Sequence, residues 1–259
     1  MEKQFYTASE AQAKLGLSRT EFHRRVNQKL IPKVTRPGMK QGVYPKRDID
    51  ALALSMNIVF EQHEKIVFSK SSPADQVEEL EIAARAFGSD LIIPLPERIA
   101  LQQKNEFTFM SLKAYDHVVG FTAIHRLTPS FLDDILTGRK IDRDINAKET
   151  LPFTRLEPID IYLSAITVDI ALPNHLRHFY AGTIISKSID TLLSLRAREY
   201  QINNIYAVST TKEGDKLAKK MGFQELKDKS LVKGRTAYKY TLDEEGIKNF
   251  QKLSGRKVT

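Results

Sequence analysis

Residues 159–199 read IDIYLSAITVDIALPNHLRHFYAGTIISKSIDTLLSLRARE. The first part is a long apolar run with the β-branched content of a strand. A short turn around Pro173 follows. The remainder has the apolar spacing of a long helix, so the stretch predicts strand, turn, helix. In that layout the peptide N–H groups at the start of the helix face whatever anion approaches the end of the strand. The stretch predicts the centre of the fold and poses its functional question, which is whether a phosphate is received there.

The whole chain has 259 residues, enough for one large domain or two smaller ones, and 41% of them are apolar. Forty basic and 32 acidic residues give a net charge of +8, which points to a polyanionic partner, nucleic acid first. The charge is uneven. Residues 1–50 and 212–259 each carry +6, and the middle carries −4. No cysteine is present, which excludes disulfides, thiolate zinc sites and a thiol nucleophile. No apolar run reaches the ~18 residues of a membrane span, and MEKQFYTASE lacks a signal-peptide core. The expectation is a cytoplasmic protein with no membrane partner and no metal.

At the N-terminal side, Thr7 with Glu10 forms a capping-box pattern. Gly16 stands where a helix ends, and Ser18 with Glu21 opens a second helix. Phe22, Val26 and Leu30 share the spacing of one helical face. The other face carries Arg19, His23, Arg24 and Gln28, with Arg25 and Lys29 beside it. Ile31–Val34, the turn 36–42 and Val43-Tyr44 then form a hairpin pattern with Arg36 and Lys40 in the turn, and Asp48 opens a third helix. A basic helix of this kind suits the major groove of double-stranded DNA; a structural helix pair with a solvated basic face is the alternative.

Tyr6-Thr7, Glu10-Ala11, Leu15-Gly16-Leu17-Ser18, Phe22-x-Arg24, Leu30-Ile31-Pro32, Tyr44 and Asp48-Ile49 resemble the winged helix-turn-helix domains of MerR-like and excisionase-type proteins. The resemblance implies DNA contacts by Arg19, His23, Arg24, Arg25 and Lys29, beside Gln28 of the same face, wing contacts by Arg36 and Lys40, and a homodimer.

Farther on, Ile66-Val67-Phe68 is a strand pattern. Ser72-Pro73 opens a helix that Gly88 closes. Another helix is expected over residues 91–100. Phe107–Ala114 and His117–Leu127 form a hairpin about Tyr115-Asp116. Residues 128–158 contain a short helix, Ser130–Leu136, and a polar run read as a solvated loop, with a partner-binding segment as the alternative. After the central stretch come a strand at Ile202–Val208, a helix at Gly214–Met221, and strands at Gln224–Lys229 and Arg235–Leu242. This order predicts a mixed sheet.

The order, with Val119-Gly120-Phe121, Leu163–Ile170 before Pro173, and Lys220-Met221-Gly222-Phe223, resembles the GNAT acyltransferase superfamily over residues 64–243. The expected fold class is therefore α/β (α+β): a winged helix-turn-helix at 1–54, a linker at 55–63, a GNAT-like mixed sheet flanked by helices at 64–243, and a basic tail at 244–259. The resemblance implies an acetyl-CoA or CoA site, with Val168 and Ile170 at the strand and Arg177, His178, Tyr180, Ala181 and Gly182 at the phosphate loop. The family's loop has an Arg or Gln and a Gly where this chain has Leu176 and Phe179. A Phe there is expected to obstruct a pyrophosphate. The family's general-acid Tyr falls on Ala218. Glu157, Asp160 and Asp169 are base candidates by position alone, so no catalytic residue is assigned.

These departures lead to the expectation of a DNA-binding transcriptional regulator whose GNAT-like domain is catalytically impaired and serves ligand sensing, dimerisation or partner binding. The alternatives are an active acetyl-CoA-dependent N-acetyltransferase with a DNA-binding module, and a replication, partition or excision accessory of a plasmid or mobile element.

Overall fold

The structure, a computed structural model, describes residues 4–15, 17, 19–35, 42–53, 66–227 and 229–254, without the side chains of Glu21 and His175. The chain divides into two compact units, Met1–Lys65 and Ile66–Thr259.

The first unit contains β1 (Phe5–Tyr6), α1 (Ala8–Lys14), α2 (Arg19–Asn27), β2 (Tyr44–Pro45) and α3 (46–53). Thr7 caps α1: its hydroxyl accepts from the Glu10 N–H, and the Glu10 carboxylate accepts from the Thr7 N–H at 2.8 Å. Two otherwise orphaned donors are satisfied in this way. β1 pairs antiparallel with β2, and Val34 and Val43 exchange two backbone hydrogen bonds of 2.8 Å. Ala11, Leu15, Phe22, Ile31, Tyr44, Ile49 and Ala53 form the core. One apolar expectation is corrected. Leu30 does not continue the face of Phe22, because α2 ends at Asn27 and Lys29 turns left-handed at φ 59°. Leu30 is left 61% exposed and Ile31 takes the core position. Gly16, Ser18, Arg36 and Lys40 lie outside the described residues.

The second unit begins with β3 (Ile66–Lys70), α4 (Pro73–Phe87), α5 (Leu95–Lys104), β4 (Phe109–Ala114) and β5 (His117–Leu127). Next come α6 (Pro129–Thr137), β6 (Thr150–Leu151), β7 (Ile159–Val168), α7 (Asn174–Ala197) and β8 (Ile202–Ser209). Then follow α8 (Lys212–Lys220), β9 (Gln224–Glu225), β10 (Thr236–Thr241) and α9 (Glu244–Leu253). The sheet runs β3-β4-β5-β7-β8-β10-β9, with β6 added at β5. Among the described residues, β7 and β8 alone pair in parallel, because α7 carries the chain back between them; the other pairings of this sheet are antiparallel. The result is a mixed sheet flanked by helices.

Each face of the sheet has its own core. Ile82, Ala83, Leu101, Phe131 and Ile135 of α4, α5 and α6 pack on Phe109, Phe121 and Tyr162. Ile189, Leu192 and Leu195 of α7 pack on Ile161 and Ile205, and Tyr180 and Ile184 of the same helix pack on Leu112 and Val119.

Two expectations are corrected here. Residues 244–259 are not a tail throughout: α9 places Phe250 in the core, stacked on Tyr240 at 4.3 Å. The expected short helix is α6, with Phe131 and Ile135 buried, but the polar run over 139–150 is not a solvated loop: it holds a 3₁₀ turn at Asp142–Asp144 and leads into β6, with Ile145 and Thr150 buried. The polar run was misleading because few large apolar residues suffice to seat a segment against an existing sheet.

Candidate active site

The site begins with a fault in strand pairing. Ala123 of β5 faces Ala165 of β7, but the next residue, Ile124, faces Leu163. Ser164 is thus an extra residue, a β-bulge, and β7 bends there. On the other side of β7, the parallel pairing with β8 stops at Leu163–Ala207, although β7 continues to Val168 and β8 to Ser209. A wedge opens between the two strands. It is a cavity of about 140 Å³ lined by Ser164, Ala165 and Ile166 on one strand and Ala207, Val208 and Ser209 on the other, and closed by Leu217, Ala218 and Tyr238.

The wedge presents an unpaired strand edge. The Asp169 N–H bonds to the Val119 carbonyl at 2.9 Å. Backbone polar groups alternate sides along a strand. The peptide groups of Val168 and Ile166 therefore turn away from β5, toward the wedge. They can pair with an extended ligand that carries amide groups.

At the end of β7 the chain turns into α7. Pro173 is the N-cap residue and supplies no side-chain cap. The N–H groups of 174–176 lack intrahelical acceptors by geometry, and Pro173 and Asn174 are exposed. The turn is held by Asp169, which receives a two-pronged bond from Arg85 of α4 (3.1 and 2.9 Å) and the Ala171 N–H at 3.0 Å.

A smaller cavity of about 40 Å³ adjoins the wedge, sharing Phe87, Ser164 and Ala165 with it. Its other walls include Arg98 and Asp142. The Tyr162 hydroxyl donates to Asp142 Oδ1 at 2.7 Å. Burial pushes the Asp142 carboxyl up to about 6, against the lowering effects of that hydrogen bond and the Arg235 charge. Burial also raises the Tyr162 phenol well above its ordinary value.

Behind the bulge, His125 is fully buried and its Nε2 lies 3.0 Å from Ser164 Oγ. The Ser164 hydroxyl donates to the Ala123 carbonyl at 3.3 Å, so the imidazole is assigned as the Nε2–H donor. Burial, then the Arg98 charge, lowers the His125 pKa to about 3. A neutral ring that donates to Ser164 holds the bulge and does not activate the hydroxyl. Deeper still, Glu79 pairs with Arg98 and accepts from Ser71 at 2.5 Å and Ser111 at 2.7 Å. Arg98 also lies 3.9 Å over the Phe109 ring.

The expected cofactor residues fall in different places. Val168 and Ile170 flank the end of β7, which stops two residues earlier than expected, and Ile170 is exposed. Arg177, His178, Tyr180, Ala181 and Gly182 are all inside α7, beyond its first turn. Arg177 bonds Asn174, His178 and Gly182 are exposed, and Tyr180 is buried in the core. Leu176 and Phe179 pack into the apolar cluster around Leu112, Val119 and Ile184. The obstruction expected from Phe179 is thereby corrected: its ring belongs to the core, and the free N–H groups belong to residues before it.

The carboxylate candidates are engaged elsewhere. Glu157 pairs with Arg126 at 2.5 Å, Asp160 accepts from Asn204 at 2.8 Å, and Asp169 holds Arg85. Asp142 and Ser164 were missed by the sequence reading. Asp142 sat in the run read as solvated, and a bulge has no signature within one strand.

In the first unit, Arg19, His23, Arg24, Gln28 and Lys29 are exposed on or just after α2, and Arg25 is half-buried. Among the described residues, no group of His, Asp or Glu is arranged to hold a metal, and no helix is long and apolar enough to cross a membrane.

No protein-family model matches the sequence, and no curated protein matches it. Solved structures similar to it include Ard1 from Thermoplasma volcanium, at 13% identity over 70% of this chain and 99% of that one, with a TM-score of 0.45. An N-acetyltransferase from Staphylococcus aureus Mu50 is 16% identical over 69% of this chain and 98% of that one, with a TM-score of 0.42. The yncA acetyltransferase from Salmonella typhimurium, determined with acetyl-CoA, is 13% identical over 70% of this chain and 95% of that one, with a TM-score of 0.42. The expectation of a DNA-binding regulator with an impaired acyltransferase-like domain is corrected. Two of these three structures carry the name acetyltransferase, and in this chain Phe179 packs in the apolar cluster and does not line the wedge.

Proposed function

We propose that the second unit is an acyl-CoA-dependent N-acyltransferase of GNAT type and that the first unit is its DNA-binding module. The observation that carries the reading is the wedge between β7 and β8, where pairing stops after Leu163–Ala207 beside the bulge at Ser164. When bound there, acyl-CoA supplies the activated thioester. The peptide groups of Ile166 and Val168 would hold its amide-bearing arm, and the N–H groups of 174–176 would receive its phosphates. Leu217, Ala218 and Tyr238 would wall its thioester end. The Tyr position of the resemblance is empty of a phenol at Ala218. Tyr238 places a phenol in the wedge wall, donating to Asp215 at 3.0 Å. Burial, with that hydrogen bond next, raises its pKa to about 12.

The acceptor side is a separate groove of about 580 Å³ lined by Leu132, Asp160, Tyr206, Lys229 and Lys239. Calorimetry with acetyl-CoA tests the reading: micromolar binding is the expected result, and no heat at millimolar ligand refutes it. For the first unit, double-stranded DNA binding should weaken steeply with salt, and Arg19→Ala with Arg24→Ala should weaken it at every sequence tested.

A further inference from the structure

We propose that Asp142, supplied by the segment between β5 and β7, is the proton acceptor for the amine substrate, reached through water held in the small cavity beside Ser164. The proposal rests on the acyltransferase reading and adds the residue that reading lacks.

Three observations carry it. Asp142 lines a cavity that shares Phe87, Ser164 and Ala165 with the wedge. The bulge at Ser164 lies on the wall common to both spaces. The cavity is largely apolar, with Arg98, Asp142 and Ser164 as its polar lining, and the buried Arg98 Nε has no hydrogen-bond partner. Its volume of about 40 Å³ accommodates about two water molecules, and a buried orphan donor is where such a water is needed.

The surroundings of Asp142 suit a base. From β7, Tyr162 donates to Oδ1 and leaves Oδ2 to take a proton. Ahead of β10, Arg235 contributes its charge, while its guanidinium is anchored on the Ile135 carbonyl at 2.8 Å. From α5, Arg98 is committed to Glu79. On the same turn, Arg143 faces Asp90 at 3.9 Å, and Asp144 accepts from the Ile141 N–H at 3.0 Å. Among the described residues, no cation forms a salt bridge with Asp142. A carboxylate held by burial near 6 is ionised at neutral pH and more basic than an exposed one.

The acceptor nitrogen uses its lone pair to form a C–N bond to the acyl carbon. The C–S bond breaks, and its electron pair leaves on sulfur as thiolate. The proton lost by nitrogen passes through water to Asp142, and then to solvent. The thiolate takes a proton from solvent, so the products are an amide and a free thiol.

The test uses the full chain with acetyl-CoA and spermidine, poly-lysine and free amino acids as amine probes. Absence of acetyl-CoA binding by calorimetry would refute the acyltransferase reading and this proposal with it. With binding established, turnover on a responsive amine should show an acidic limb with a midpoint near 6. Asp142→Asn keeps the Tyr162 hydrogen bond, and should lower kcat/KM by about 10²–10³-fold and abolish that limb, with acetyl-CoA affinity unchanged. Tyr162→Phe should shift the limb and retain most of the rate. An unchanged limb in Asp142→Asn, or binding without turnover of any probe, overturns the assignment.

Discussion

Glu79 lies with no exposed surface in the core between α4 and the sheet, and its charge is met by Arg98 and two serine hydroxyls. Burial raises its carboxyl and lowers the Arg98 guanidinium. Removing one partner strands the other, which costs about 3–5 kcal/mol. Glu79→Ala should therefore lower the urea midpoint by far more than a surface carboxylate change such as Glu81→Ala. Two other buried groups give opposite pH slopes. Asp142 is raised in the fold, so its contribution is fully present below its unfolded pKa and is lost as pH rises through about 6. His125 is depressed, so its contribution is present above its unfolded pKa and is lost as pH falls toward about 3. Asp142→Asn should accordingly raise the unfolding midpoint at pH 8 and leave it nearly unchanged at pH 3. Thermal scans at the two pH values check this, independently of any activity.

At the scale of elements, the wedge depends on how β5 and β7 meet. Gly120 of β5 sits against the far end of β7, where an added Cβ would lie 2.6 Å from the Thr167 carbonyl oxygen. Gly120→Ala has to push the strands apart, at a cost of about 1–3 kcal/mol. It should weaken acetyl-CoA binding as well as stability, because the strand it moves forms one wall of the wedge; calorimetry and urea titration read the two effects. Much at this scale was legible beforehand. Ser72, Pro73 and Gly88 bracket α4 where expected, and Tyr115-Asp116 makes the hairpin turn with both residues at positive φ. These signals are local, set by capping and turn chemistry. The bulge at Ser164 was not legible, since it is a mismatch between two strands. Asp142 was not legible either, since its hydrogen-bond partner Tyr162 stands 20 residues away. The loop frame counted from Pro173 falls inside a helix, because α7 starts before Leu176, at Asn174.

For the whole molecule, the two units have separate cores. Phe22 is fully buried in the first, against Tyr44 at 5.2 Å. Phe22→Ala should cost about 3–5 kcal/mol there, while Glu79→Ala acts in the second. Scanning calorimetry is expected to show two transitions, each substitution moving a different one. A single transition moved by both would show that the units unfold together.

The segment between β5 and β7 enters and leaves the sheet through β6, which pairs only Arg126 and Leu127 of β5. It brings Asp142 to a cavity whose other polar walls belong to the main fold. On the proposed acyltransferase reading, donor binding and proton removal belong to different stretches of the sequence. On that reading a change at Asp142 alone retunes the basicity available to the substrate, whereas exchange of the whole segment would also remove Phe131, Ile135 and Ile145 from the core.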